Sequence, residues 1–368
     1  MLDKSLLPTI TDEDLRIHPL ERSETIPSSW YSDHRFHELD NDVIFAQSWQ
    51  YIGHLSQVQN PGDQCMGSVA GNPIIVVRGQ DNKLRAFYNV CRHRGAPLAV
   101  VEGGKSKVLQ CKYHGWTYLL DGSLRGTPKF NRVDLFDRKD YGLVSTHLDT
   151  WEGLVFVNLE GDGLSSSTLF KGIIDRIAPM TIADKKFYRR VTYDLNCNWK
   201  VFVDNYLEGY HLPYVHPELC TLLDFQSYAT ETFEYHSLQS SSLSQNESKY
   251  GANHGQVFYY FVWPNFMMNI LPGRLQTNLV VPTSHNHCMV IFDYYYDDTS
   301  SEGTLKMIDE DIRYSDKVQQ EDIEICEQVQ KGLESRAYDR GRFSVECESG
   351  VYHFQSLLKK AYRSALLK

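Results

Sequence analysis

No stretch of this sequence approaches the roughly 18 consecutive apolar residues that a membrane-spanning helix needs, although 42% of the chain is hydrophobic. The N-terminal Met1-Leu2-Asp3-Lys4 lacks the basic and apolar pattern of a secretory signal, so the expected location is the cytoplasm and no membrane partner is expected. Basic excess is missing too. The 37 Lys and Arg stand against 47 Asp and Glu, and the resulting net charge of −10 argues against nucleic acid and for a solvated surface. Cysteine is sparse: the eight, at 65, 91, 111, 197, 220, 288, 326 and 347, are scattered and do not form the array of a disulfide framework. No internal repeat or low-complexity tract is visible. What remains is an ordinary composition over 368 residues, enough for two domains with a sizeable core.

Two of the cysteines stand beside histidines in matched pairs, Cys91-Arg92-His93 and Cys111-Lys112-Tyr113-His114. Two thiolates and two imidazoles suit either a structural zinc ion or a [2Fe-2S] cluster in which two histidines replace two cysteines on one iron. Zinc modules usually pair Cys with Cys and His with His, so that each pair closes on one ion. Here each loop offers one of each, which suits one thiolate to the inner iron and one imidazole to the outer. Gly95 and Gly115 stand where backbone must approach a cluster closely, and Pro97 rigidifies one loop. At these residues the chain resembles the Rieske domain of the Rieske non-haem iron oxygenases, with Cys91, His93, Cys111 and His114 as cluster ligands.

More than two hundred residues follow, and they include Asp204-Asn205-Tyr206-Leu207-Glu208-Gly209-Tyr210-His211, then Leu212-Pro213-Tyr214-Val215-His216. On an unbroken helix, five positions turn through about 500°, which leaves His211 and His216 pointing about 140° apart. Pro213 disfavours continued helix, so a helix ending near His211 would let His216 fold back toward the same ion. Two imidazoles and one carboxylate on one face of ferrous iron leave positions open for dioxygen. The segment looks like the catalytic-iron motif of the same oxygenase family. The third ligand is expected among Asp309, Asp311, Asp316, Glu321 and Asp322. The run from Glu321-Asp322 to Val329-Gln330-Lys331-Gly332-Leu333 has apolar residues near helical spacing, with Gly332 as a stop. It resembles the family's last-ligand helix and places the ligand on Asp322, with Glu321 as the alternative oxygen donor.

The same resemblance gives Glu208 the role of a bridge between a Rieske histidine and a catalytic-iron histidine, a position where many members carry Asp. Asp204 competes for it, with a structural or supporting role as its other reading. In such oxygenases the bridge crosses a subunit interface in a head-to-tail trimer, because the two metals of one chain are far apart. The implied partners are dioxygen, a small-molecule substrate and an NAD(P)H-dependent flavin or iron-sulfur reductase, and the implied assembly is a homotrimer.

Short β-rich runs, 73–78, 84–90 and 153–159, flank the ligand loops, and later strands at 256–262 and 288–294 mix with helices near 168–178, 200–211 and 305–333. The expected fold is α+β: an N-terminal arm over 1–44, a Rieske [2Fe-2S] β-sandwich over 45–160, and a helix-grip catalytic domain with an antiparallel sheet over 161–368. The Rieske domain is either inserted in the catalytic domain or followed by it. The expected cofactors are the cluster and a mononuclear Fe(II), with NAD(P)H acting through the reductase. The motif wording looks most like the branch near the carnitine, choline and glycine-betaine oxygenases, and the 23 tyrosines could cage a quaternary ammonium or simply pack. Hydroxylation of an aromatic acid is the alternative, and an electron carrier without oxygenase activity is the reading from another class.

Overall fold

The computed structural model describes residues 7–98, 103–161, 164–222, 227–243 and 255–366. Met1–Lys4 lies outside them. None of the described helices is long and apolar enough to cross a membrane. The chain forms two compact units: Phe45–Ser166, and Met1–Ile44 together with Ser167–Lys368. The first is thus inserted in the second.

Among the described residues, nine short strands build the inserted unit. They form the sheets β2 (Gln64–Val69), β3 (Asn72–Arg78) and β4 (Leu84–Tyr88); β1 (Gln50–His54), β9 (Leu154–Asn158) and β8 (His147–Trp151); and β5 (Leu109–Gln110), β6 (Thr117–Tyr118) and β7 (Leu124–Gly126). The apolar run Ile74-Ile75-Val76-Val77 of β3 is buried on both faces, because alternate side chains serve different cores. Ile74 and Val76 pack with Ile52, Val155 and Val157. Ile75 and Val77 pack with Cys91, Cys111, Trp116 and Tyr118, so one strand props the two ligand loops against a rigid centre.

In the other unit a seven-stranded antiparallel sheet runs in the order β10 (Lys186–Leu195), β16 (His287–Tyr296), β15 (Arg274–Ser284), β14 (Phe266–Leu271), β13 (Gln256–Val262), β12 (His236–Ser242), β11 (Ala229–Thr232). Its register aligns Gln239, Tyr259, Asn269 and Gln276 directly across four strands. Directly opposed residues of an antiparallel pair share a face, so this row makes one continuous polar and aromatic band. The helix Glu302–Leu333 buries Ile308, Ile312, Gln319, Cys326 and Gln330 along one stripe at three- and four-residue multiples. It runs one residue past Gly332, the stop expected from sequence, and its C-cap Glu334 keeps right-handed helical angles.

Expected from sequence as a separate arm, residues before 45 belong to this second unit. Their aromatic side chains explain it. Trp30 is fully buried and packs edge-on against Tyr362 of the helix Ser349–Leu366 at 4.8 Å. Asp40, fully buried, accepts from Trp199 Nε1 at 2.8 Å and also bonds Lys200 and Tyr362. A buried charge needs such partners, and these clamp the arm to the helix Trp199–Tyr206 that leads into the histidine motif.

Candidate metal centres

Both cysteine-histidine loops close in the same way. The Cys91 N–H donates to the Ala96 carbonyl at 2.8 Å and the Gly95 N–H to the Cys91 carbonyl at 3.0 Å; the Cys111 N–H donates to Trp116 at 2.8 Å and the Gly115 N–H to Cys111 at 2.9 Å. Gly95 and Gly115 hold φ of +74° and +76°, the left-handed region that glycine enters without a Cβ penalty. Each tight turn presents one thiol and one imidazole. The Cys91 and Cys111 thiols are close enough to perturb one another, and the His93 and His114 rings lie 4.7 Å apart. Trp116 stacks on His93 at 4.8 Å and fixes its plane.

The donor set fits a cluster. His93 Nδ1 is buried with no hydrogen-bond partner, and burial together with the neighbouring His114 holds the ring's pKa below its ordinary value. A neutral imidazole with an unpaired inward nitrogen is what a metal requires. Burial pushes the Cys91 thiol up, while Tyr118, whose hydroxyl is 3.4 Å from Sγ, opposes that shift. Sequence reasoning missed Tyr118, which also accepts from the Arg92 N–H at 3.0 Å.

The second centre is built on the broken helix. Asn198 caps its start by accepting from the Lys200 N–H at 3.0 Å, and regular helix ends at Tyr206. Gly209 follows because a Cβ there would meet the Tyr228 ring at 2.7 Å. Pro213 then has a different role from the one expected. Instead of breaking a helix, it sits in the first turn of a new one, Leu212–Val215, where its missing N–H costs nothing. His211 caps that turn at one end and His216 at the other, so the two rings converge at 5.3 Å.

Asp322 joins them from the Glu302–Leu333 helix. Its Oδ1 is 2.9 Å from His216 Nε2 and 3.8 Å from His211 Nε2, and the three ligand atoms lie within 4.8 Å of one another. Cis ligands at bond lengths near 2.1 Å are about 3 Å apart, so the set fits one ion. The outer nitrogens are held as well. His211 Nδ1 meets Glu208 Oε1 at 2.6 Å, and His216 Nδ1 meets Glu321 Oε2 at 2.6 Å. A carboxylate on the far nitrogen fixes the tautomer that leaves Nε2 free and makes it more basic. Asn205 Nδ2 donates to Asp322 Oδ1 at 2.7 Å, a contact the sequence did not signal.

The remaining sequence candidates lie elsewhere. Glu321 orients His216 and is not in the ligand cluster. Asp311 is paired with Arg274 at 2.7 Å, and Asp309 and Asp316 are exposed. Asp204 is not in the ligand cluster: it accepts from the Tyr31 hydroxyl at 2.5 Å and from Gln355 Nε2 at 3.2 Å. Burial pushes its carboxyl up to about 7 from 3.8. A raised folded-state pKa means stability that is fully present below about pH 4 and is lost as pH rises through about 7. For this half-buried group the loss is roughly 2–4 kcal/mol. Asp204→Asn removes the ionisation, so its melting temperature relative to the wild type should climb by several degrees between pH 5 and pH 8. A pH-independent difference would contradict this.

The family comparison agrees with this geometry. The ring hydroxylating alpha subunit (catalytic domain) family matches residues 182–364, and the Rieske [2Fe-2S] domain family matches residues 48–137. Choline monooxygenase, chloroplastic, of Arabidopsis thaliana is 36% identical over 363 residues, 95% of this chain and 85% of that protein. The chain belongs to the Rieske oxygenase alpha subunits. The carnitine monooxygenase oxygenase subunit of Escherichia coli K12 is 32% identical over 353 residues, covering 92% of this chain and 94% of the relative. A crystal structure of the quaternary ammonium Rieske monooxygenase CntA with an inhibitor superposes with a TM-score of 0.88 at 28% identity, covering 96% and 99% of the two chains. This Rieske oxygenase is therefore an oxidoreductase with a [2Fe-2S] cluster and a mononuclear iron, and it works with dioxygen, a substrate and an electron-transfer partner. The zinc reading and the electron-carrier reading both fall.

Proposed function

We propose that this Rieske oxygenase hydroxylates a small quaternary ammonium compound, with the mononuclear iron held by His211, His216 and Asp322 and the cluster by Cys91, His93, Cys111 and His114. The observation that carries the reading is a cavity of about 150 Å³ that opens on the three-ligand cluster. That is room for one small molecule. Phe202, Tyr206, Tyr228, Tyr259, Phe292 and Tyr314 line it. Aromatic faces attract a quaternary ammonium by roughly 0.5–2 kcal/mol per well-placed ring. The related enzymes whose names state choline and carnitine oxidation support the same class.

When bound, the mononuclear iron activates dioxygen with electrons delivered through the cluster. The chain's own residues do the rest. Glu208 and Glu321 keep the two imidazoles in the ligating tautomer, Asn205 fixes the carboxylate, and the apolar and aromatic wall excludes water. Glu208 also serves as the bridge to the cluster of a neighbouring chain, in a head-to-tail homotrimer fed by an NAD(P)H-linked reductase. For a quaternary ammonium Rieske monooxygenase of similar structure, inter-subunit electron transfer is described.

Mass spectrometry of products from the iron-loaded protein, supplied with a surrogate reductase, NADH and a panel of quaternary amines and aromatic acids, tests the reading. Oxidised amine and unchanged aromatic acids are expected. Hydroxylated aromatics alone would move the enzyme to the ring-hydroxylating branch.

A further inference from the structure

The inward stripe of the Glu302–Leu333 helix carries polar side chains at Asp311, Gln319, Asp322 and Gln330, where apolar ones are the rule. Three of them have evident partners. Asp311 bonds Arg274 at 2.7 Å and the Tyr296 hydroxyl at 2.6 Å. Asp322 belongs to the metal triad. Gln330 accepts from the Asn198 N–H at 2.9 Å and donates to Glu334 at 2.9 Å. Gln319 is different: it is 2% exposed, it lines the cavity, and its Nε2 is buried with no hydrogen-bond partner.

Helix geometry places it. Gln319 precedes Asp322 by three residues, so it lies on the same face, about 4.5 Å along the axis. The two other glutamines on the cavity wall are already engaged. Gln276 accepts from Ser315 at 3.1 Å and donates to Asn278 at 2.7 Å, while Gln239 donates to the Tyr206 carbonyl at 2.6 Å and accepts from the Tyr228 hydroxyl at 2.7 Å.

Charge along the cavity points the same way. Glu208, Asp322 and Arg274 are its charged lining residues, histidines aside. Asp311, which neutralises Arg274, stands eleven residues before Asp322, about 16 Å along the helix. A substrate carboxylate near the iron would meet carboxylates and no uncompensated cation. A neutral oxygen would meet the Gln319 amide.

We propose that Gln319 is the specificity-determining residue of this site, donating from Nε2 to a neutral oxygen of the substrate, so that the preferred quaternary amine is an alcohol of choline's size and not an ammonium carboxylate. This rests on the quaternary ammonium reading above. Gln319 is a positioning residue with no part in holding iron. Its loss therefore alters substrate choice and leaves both metal centres in place.

The test uses the holoenzyme with its reductase, comparing choline, ethyltrimethylammonium (the same cation without the hydroxyl), glycine betaine and L-carnitine in the wild type, Gln319→Leu and Gln319→Met. The wild type should favour choline over ethyltrimethylammonium by about 2- to 12-fold in kcat/KM, the worth of one ordinary hydrogen bond. In Gln319→Leu the ratio should fall toward one, with the cluster spectrum and iron content unchanged, and product formed per NADH should drop for choline alone. Gln319→Met, of similar length and without a donor, should behave alike. A ratio that persists in both variants overturns the assignment to Gln319. Faster wild-type turnover of glycine betaine or carnitine than of choline overturns the substrate class. If the wild type turns over no quaternary amine, the functional reading fails and takes the inference with it.

Discussion

His211→Ala is expected to abolish turnover while the protein keeps the visible spectrum of its cluster. The imidazole supplies one of three donors that lie within 4.8 Å of one another, and alanine leaves only His216 and Asp322, too few to hold a ferrous ion against water. The cluster loops belong to the other compact unit. The expected loss is at least about 1000-fold in product formation, equivalent to about 4 kcal/mol of transition-state stabilisation. Metal analysis and NADH-linked product assays check it. Full mononuclear iron in the variant would remove His211 from the triad.

Glu208→Gln has the next largest effect and a different signature. Both carboxylate oxygens of Glu208 are in use: Oε1 meets His211 Nδ1 at 2.6 Å, and Oε2 accepts from the His211 N–H at 3.0 Å and from the Tyr210 N–H. Glutamine offers one acceptor oxygen, and its amide nitrogen cannot accept the second set. The imidazole also loses the negative charge that raises its basicity, and the proposed bridge to a neighbouring cluster would lose its proton acceptor. Both metals should stay bound, while the single-turnover rate falls roughly 10–100-fold. Rapid mixing of reduced protein with substrate and dioxygen reads it directly. A wild-type single-turnover rate would leave Glu208 as a local cap of the 209–211 turn and nothing more.

What could be read in the sequence was whatever chemistry packs into short segments. Cys91 with His93 and Cys111 with His114 are local pairs, and their loops owe their shape to Gly95 and Gly115 a few positions away. The His211 to His216 spacing was legible too, but its mechanism was not: Pro213 reads as a breaker, whereas the helix had already ended at Tyr206 and proline begins the next turn. Long-range contacts were beyond reach. Glu321 and Asp322 are adjacent in sequence, and only the rotation of one helix decides that Asp322 faces the Nε2 atoms while Glu321 meets His216 Nδ1. Asn205 to Asp322, Asp40 to Lys200 and Asp204 to Tyr31 join residues more than a hundred positions apart, and no periodicity reports such pairs. The unpaired amide of Gln319 is visible only once its neighbours are known.

Iron and acid-labile sulfide analysis of the purified wild type beside His211→Ala tests the two-centre account most directly. The account predicts about three irons and two sulfides per chain in the wild type, the sum of a [2Fe-2S] cluster and one mononuclear ion, and about two irons with two sulfides in the variant. Zinc in place of iron and sulfide, or an iron count that His211→Ala leaves unchanged, would contradict it.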